Sequence, residues 1–144
     1  PGSVELRDVP RARPDDTGVR RLRACEHAAR AAGLPAPKSP WQLAGAGAVG
    51  SQSLMAMPML DRLLWKPPGG VPASLWPFEP SGDGLTIAEM YPSMFVGDEQ
   101  PGAIKDARQV AAARDALLDR GFAMSVDHPL ARVEGWILGV PNPA

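Results

Sequence analysis

The sequence predicts an α/β protein, a few strands flanked by helices, and three observations carry that expectation. Two helical stretches with apolar periodicity come first, then an apolar run bounded by glycine and proline, then an alanine-rich helix followed by a last apolar segment. The order helix, helix, strand or two, helix, strand matches the back half of a layered domain. A parallel sheet usually begins with its own strand, and none precedes the first helix, so the chain reads as the C-terminal part of a larger fold.

Residues 1–16 are rich in proline and charge and read as an extended segment, leaving 17–144 as a single α/β domain. From Thr17 to Ala32, Val19, Leu22, Cys25 and Ala29 recur at helical spacing, with Thr17 as the N-cap and Gly33 just past the end. Residues 34–50 carry prolines and then glycines, and are expected to form turns. Ser51 then caps a second helix to Trp65, whose apolar face is Leu54, Met57, Leu60 and Leu64; Pro58 removes one backbone donor from it. After a proline-glycine linker, Ser74–Phe78 reads as an edge strand, since Pro77 cannot donate in a central ladder. The clearest strand is Leu85–Pro92. A helix over Ile104–Arg120, stopped by Gly121, presents Ile104, Ala107, Val110, Ala111, Leu117 and Leu118, and a final strand runs over 132–140.

Composition narrows the function classes. The 144 residues carry 15 basic and 16 acidic side chains, a formal net charge of -1, so no whole-chain field draws the protein to nucleic acid or an anionic membrane. One cysteine, Cys25, excludes an internal disulfide and a cysteine-based metal site. No apolar run approaches the roughly 18 residues of a membrane span, and no signal-peptide core is present. A cytoplasmic protein without a membrane partner is the expectation.

Several motifs are weighed and set aside. Gly45-Ala-Gly-Ala-Val-Gly50 matches a dinucleotide fingerprint, but PWQLA is a poor preceding strand and Asp61 comes too soon for the ribose acid, so a close turn before a helix is the better reading. Met55, Met57 and Met59 read as adaptable core filling, and the four tryptophans as cover for the core. Cys25 and His27 project from a helix about 200° apart and form no nucleophile and base pair.

The acids carry more. Glu89 ends the best strand, Asp106 lies in the first turn of the next helix, and Glu134 enters the last strand. Carboxylates so placed converge on one side of a sheet, where they supply the hard oxygen ligands that Mg²⁺ or Mn²⁺ prefers. The ordinary alternatives are a helix N-terminus that favours Asp106 and solvated strand-end acids. Arg20, Arg21, Arg23, Arg30 and Lys38 make the first forty residues net positive, eight basic against five acidic, as phosphate contacts or as a solvated face.

The phrases KSPWQLAGAGAVGSQSLMAMPML, WPFE, IAEMYPSMF, IKDARQV and EGWILGV together resemble, in the same order, an uncharacterised bacterial family with a predicted ribonuclease-H-like fold. Some of its members carry labels drawn from cobalamin or molybdopterin-dinucleotide gene neighbourhoods. The resemblance covers about Arg20 to Val140. It implies that Glu89 and Asp106 are the catalytic, metal-binding carboxylates of a nuclease; on the placement of the acids Glu134 is a further candidate metal ligand, and in the basic stretch Arg21, Arg23 and Lys38 are the candidate contacts to the phosphates of a nucleic-acid substrate. The implied activity is phosphodiester hydrolysis by in-line attack of water activated at Mg²⁺ or Mn²⁺. The family's first-strand Asp motif and second Asp strand have no counterpart in these residues, and Ala56 stands where members often have Gly. A two-metal site without its bridging carboxylate loses its metals. The competing expectation is therefore a non-catalytic accessory or binding protein that pairs with another chain or with a preceding N-terminal half.

Overall fold

The described residues of this computed structural model are 18, 20–35, 37–45, 48–96, 104–122 and 124–143. The charged segment 1–16 and the expected Thr17 cap lie outside them, as do Ala46 and Gly47 of the glycine run. The described residues form a mixed α/β chain with four α-helices and one three-stranded parallel sheet.

Helix α1 spans Ala24–Ala31, with extended Arg23 at the N-cap. With its N-cap at Arg23 it starts six residues later than a cap at position 17 implies, and acids meet its first amides: Arg23 N–H donates to Glu26 Oε2 at 2.6 Å and Ala24 N–H to Glu134 Oε2 at 2.9 Å. Its end is the glycine stop expected from the sequence. Gly33 takes φ +70, and the amides of Gly33 and Leu34 close back on the carbonyls of Arg30 and Ala29, each at 3.0 Å.

Helix α2 spans Val49–Trp65 and runs through Pro58 without a break. Pro58 itself is exposed, and its missing N–H leaves one helix carbonyl without its usual donor. Ser51 is not its cap. The helix begins at Val49, after Ala48, and the Ser51 hydroxyl donates to the Ala48 carbonyl at 2.8 Å. Gly50 is buried in the first turn, where its amide donates to the Gln42 carbonyl at 3.0 Å and an added Cβ would collide with the Pro40 carbonyl. This close approach is what the last glycine of the run provides.

Strands β1, Ala73–Trp76, and β2, Leu85–Met90, follow, then α3, Lys105–Arg120, a single helical turn α4, Ala131–Glu134, and β3, Ile137–Leu138. The expected last strand over 132–140 is thus mostly not a strand. The amides of Glu134 and Gly135 bond to the carbonyls of Leu130 and Ala131 at 2.8 and 3.0 Å, closing a helical turn, and Gly135 at φ +81 redirects the chain into the two residues that pair.

The sheet order is β1-β2-β3, so β1 is an edge strand as Pro77 implied, and β2 is central. Ala73–Trp76 pair with Leu85–Ala88, while Glu89 and Met90 pair with Ile137 and Leu138. Glu89 therefore stands where the central strand changes partner. The core joins Cys25, Ala28 and Ala29 of α1 to Trp76, Ala131, Trp136, Ile137, Leu138 and Val140, with Ala88 and Met90 packed against it. Both are alternate residues of β2, as the period of two requires of side chains that share one face of a sheet.

The outer helices depart from their expected faces. Leu54, Met55, Met57, Met59 and Trp65 of α2 are exposed, so the methionines do not fill the core. On α3 the buried positions are Ala113 and Ala116, while Ile104, Val110, Leu117 and Leu118 face outward. Of the four tryptophans only Trp76 and Trp136 are core residues; Trp41 and Trp65 are exposed. Among the described residues, no helix is long and apolar enough to cross a membrane.

Candidate functional site

The most organised polar group lies at the start of α1, where Arg23 reaches across to the end of β2. Its Nη1 and Nη2 donate to both oxygens of Glu89, each at 2.7 Å, a forked pairing that fixes plane and distance together. Its Nε donates to Glu26 Oε1 at 2.8 Å, and Nη1 also reaches the Glu134 carbonyl at 3.3 Å. Glu26 is 1% exposed and has both oxygens occupied, by the guanidinium and by the Arg23 amide. Glu134 bonds the Ala24 amide and Arg20 Nη2, both at 2.9 Å.

Electrostatics follow from this crowding. Burial opposes the Arg23 charge, but the hydrogen bond and charge of Glu89 outweigh it and hold the guanidinium protonated beyond its ordinary range. Cys25, fully buried two positions on, has its thiol pushed up to about 12, first by desolvation and then by Glu26 and Glu89, with Arg23 opposing. Such a thiol is inert as a nucleophile. The absence of a Cys25 and His27 pair holds as well, since Cys25 is buried and His27 exposed.

Gly135 makes room for this group. A Cβ there would stand 3.3 Å from the Phe78 ring and 3.4 Å from Arg23 Nη1, and its positive φ favours glycine independently. Beside it opens a cleft of about 370 Å³ between α2 and the sheet, walled by Ala56, Met57, Leu60, Leu75, Ile87 and Phe78, with Arg23 and Glu89 at its polar end. Ile87 and Glu89 are the β2 residues that alternate with the core-facing pair.

A second, more open cleft of about 690 Å³ is lined by Glu79, Ser81, Asp127, His128 and Arg132, among others. His128 is fixed there: its Nδ1 accepts from the Leu130 amide at 3.2 Å and its ring lies 5.2 Å from that of Trp136. The buried tryptophans are structural, each indole N–H bonded to a carbonyl, Trp76 to Met124 at 3.0 Å and Trp136 to Val140 at 3.1 Å.

The structure thus brings together Arg23, Glu89 and Glu134 of the residues expected to form a site. Asp106 lies in the first turn of α3, exposed, and takes no part in the network; Arg21 and Lys38 are exposed elsewhere on the surface. Among the described residues no three acids, histidines or cysteines form a group able to hold a metal. Hard carboxylate oxygens are the right donors for Mg²⁺ or Mn²⁺, but both oxygens of Glu89 are engaged by Arg23, so the residues present do not compose the expected ligand set. Sequence reasoning missed Glu26 and Gly135, and read Arg20 as a phosphate contact or part of a solvated face where it pairs with Glu134. Glu26 carried a legible signal, an acid three residues after a helix N-cap; Gly135 carried none beyond being a glycine. Comparison with protein-family models, with curated proteins and with solved structures found no match.

Proposed function

We propose that this chain is an accessory or binding part of a ribonuclease-H-like, metal-dependent nuclease: it carries Glu89 and Asp106 of the catalytic set and associates with polypeptide that supplies the rest. The observation behind this reading is the state of the Glu89 carboxylate. It stands near the carboxyl end of the central strand of a parallel sheet, the edge where α/β folds place ligands, yet Arg23 holds both of its oxygens. A divalent cation needs several oxygen ligands, more than the lone pair that Arg23 leaves on each Glu89 oxygen, and a second polypeptide that covers the exposed apolar faces of α2 and α3 is a suitable source of the rest.

A second reading, a hydrolase competent in this chain, is favoured by Asp106 opening the helix that follows the Glu89 strand. Mg²⁺ or Mn²⁺ would there activate water for in-line attack on a phosphodiester, with Arg21 and Lys38 toward phosphates. One experiment separates the readings: labelled single-stranded and hybrid nucleic acids are incubated with Mn²⁺ and either the parent chain or Asp106→Asn. No cleavage by either protein is the outcome expected of an accessory part. Cleavage lost in Asp106→Asn establishes the hydrolase, and equal cleavage by both would overturn the assignment of these acids.

A further inference from the structure

We infer that the cleft between α2 and the sheet is a binding site for a small molecule with a flat apolar body and a cationic, N–H-bearing head, an aryl amidine or arylalkyl amine, whose head pairs with Glu89. This does not rest on the nuclease reading. A volume of about 370 Å³ lies within the range of ligand pockets, roughly 300–1,000 Å³. The walls are apolar apart from Arg23, Ser53 and Glu89, so the polar recognition is concentrated at one end.

What that end accepts follows from counting its hydrogen-bonding capacity. A guanidinium has five donors, and four N–H directions of Arg23 are already spent, on Glu26, on the two Glu89 oxygens and on the Glu134 carbonyl. Glu26 is saturated and sealed from solvent. Glu89 is different, because its side chain is 43% exposed and each oxygen keeps a lone pair after meeting Arg23. Glu134 is matched by Arg20, which leaves two carboxylates around one guanidinium at the head of the cleft, an excess of one negative charge. An anionic head meets only the one remaining Arg23 N–H and net repulsion; a cationic donor meets the lone pairs that both Glu89 oxygens keep. Phe78, at the same end beside Gly135, adds an aromatic ring to the wall next to that head.

The test uses benzamidine, benzoate and benzyl alcohol against the ¹⁵N-labelled chain, following the indole N–H of Trp76 and Trp136 and the Gly135 amide. Benzamidine should give saturable shifts at these three signals with an affinity at least about tenfold above that of benzoate, the scale of one charge-assisted hydrogen bond. Glu89→Gln should erase that preference. Because Glu89→Gln also frees Arg23, a second variant, Ala56→Phe, fills the cleft from α2 with the ion pairs intact and should abolish binding of all three probes. Equal or tighter binding of benzoate would overturn the inference in favour of an anion at Arg23. Benzyl alcohol binding as well as benzamidine would reduce the site to apolar surface. Protection of the same signals by self-association, read by sedimentation in parallel, would assign the cleft to a second copy.

Discussion

Arg23 shows how much a single side chain organises here. It is the N-cap of α1, the partner of a sealed acid and the fork that ties the helix to the central strand. Breaking a buried pair leaves an uncompensated charge, whereas exposed ion pairs contribute little. Glu26→Ala therefore removes the partner with 1% exposure and also the acceptor of the Arg23 amide. A loss of about 3 kcal/mol in urea unfolding is expected, and a loss below about 1 kcal/mol would show that the network is only decorative. Cys25 supplies the pH dependence. Its thiol ionises at about 12 in the folded chain against 9.0 ordinarily, so the unfolded chain releases that proton first as pH rises. The stability contributed by the protonated thiol is complete below pH 9.0 and is lost progressively as pH rises through about 12. Unfolding midpoints between these limits should fall more steeply for the parent than for Cys25→Ala; parallel slopes would place the thiol in contact with water.

At the scale of elements, glycine and proline decided more than apolar periodicity did. Gly33 and Gly121 end α1 and α3 where the sequence said they would, because a helix stop is a local property of the backbone. Pro77 likewise follows an edge strand. The start of α1 was misjudged because the groups that cap it come from Glu26 and from Glu134, 110 residues away. The last strand was misjudged because an apolar run looks the same whether it pairs over nine residues or over two, and a helical turn ahead of Gly135 takes up its first half. Gly50 offers a direct test at this scale. Gly50→Ala sets a Cβ against the Pro40 carbonyl and should cost about 1–3 kcal/mol, while Gly82→Ala, with open space around it, should change stability by less than about 0.5 kcal/mol. Equal effects would mean that α2 shifts freely on its support.

For the whole molecule, the sheet is small and its outer helices are lightly packed: α2 and α3 turn their larger apolar side chains outward and bury alanines or line a cleft. The sequence by itself determined the α/β class, the clearest strand with Glu89 at its end, the helix that Asp106 opens, and the inertness of Cys25 and His27 as a pair. These depend on local periodicity, on glycine and proline, and on angular spacing along one helix. Only the tertiary structure decided that Arg23 meets Glu89, that Glu26 is sealed beneath them, that Asp106 stays apart and that a cleft opens beside the pair. Those facts join residues 66 and 111 positions apart in the chain. A spacing pattern fixes which face of its own element a side chain occupies, but the partner across a sheet is fixed by topology and by which groups must leave water together.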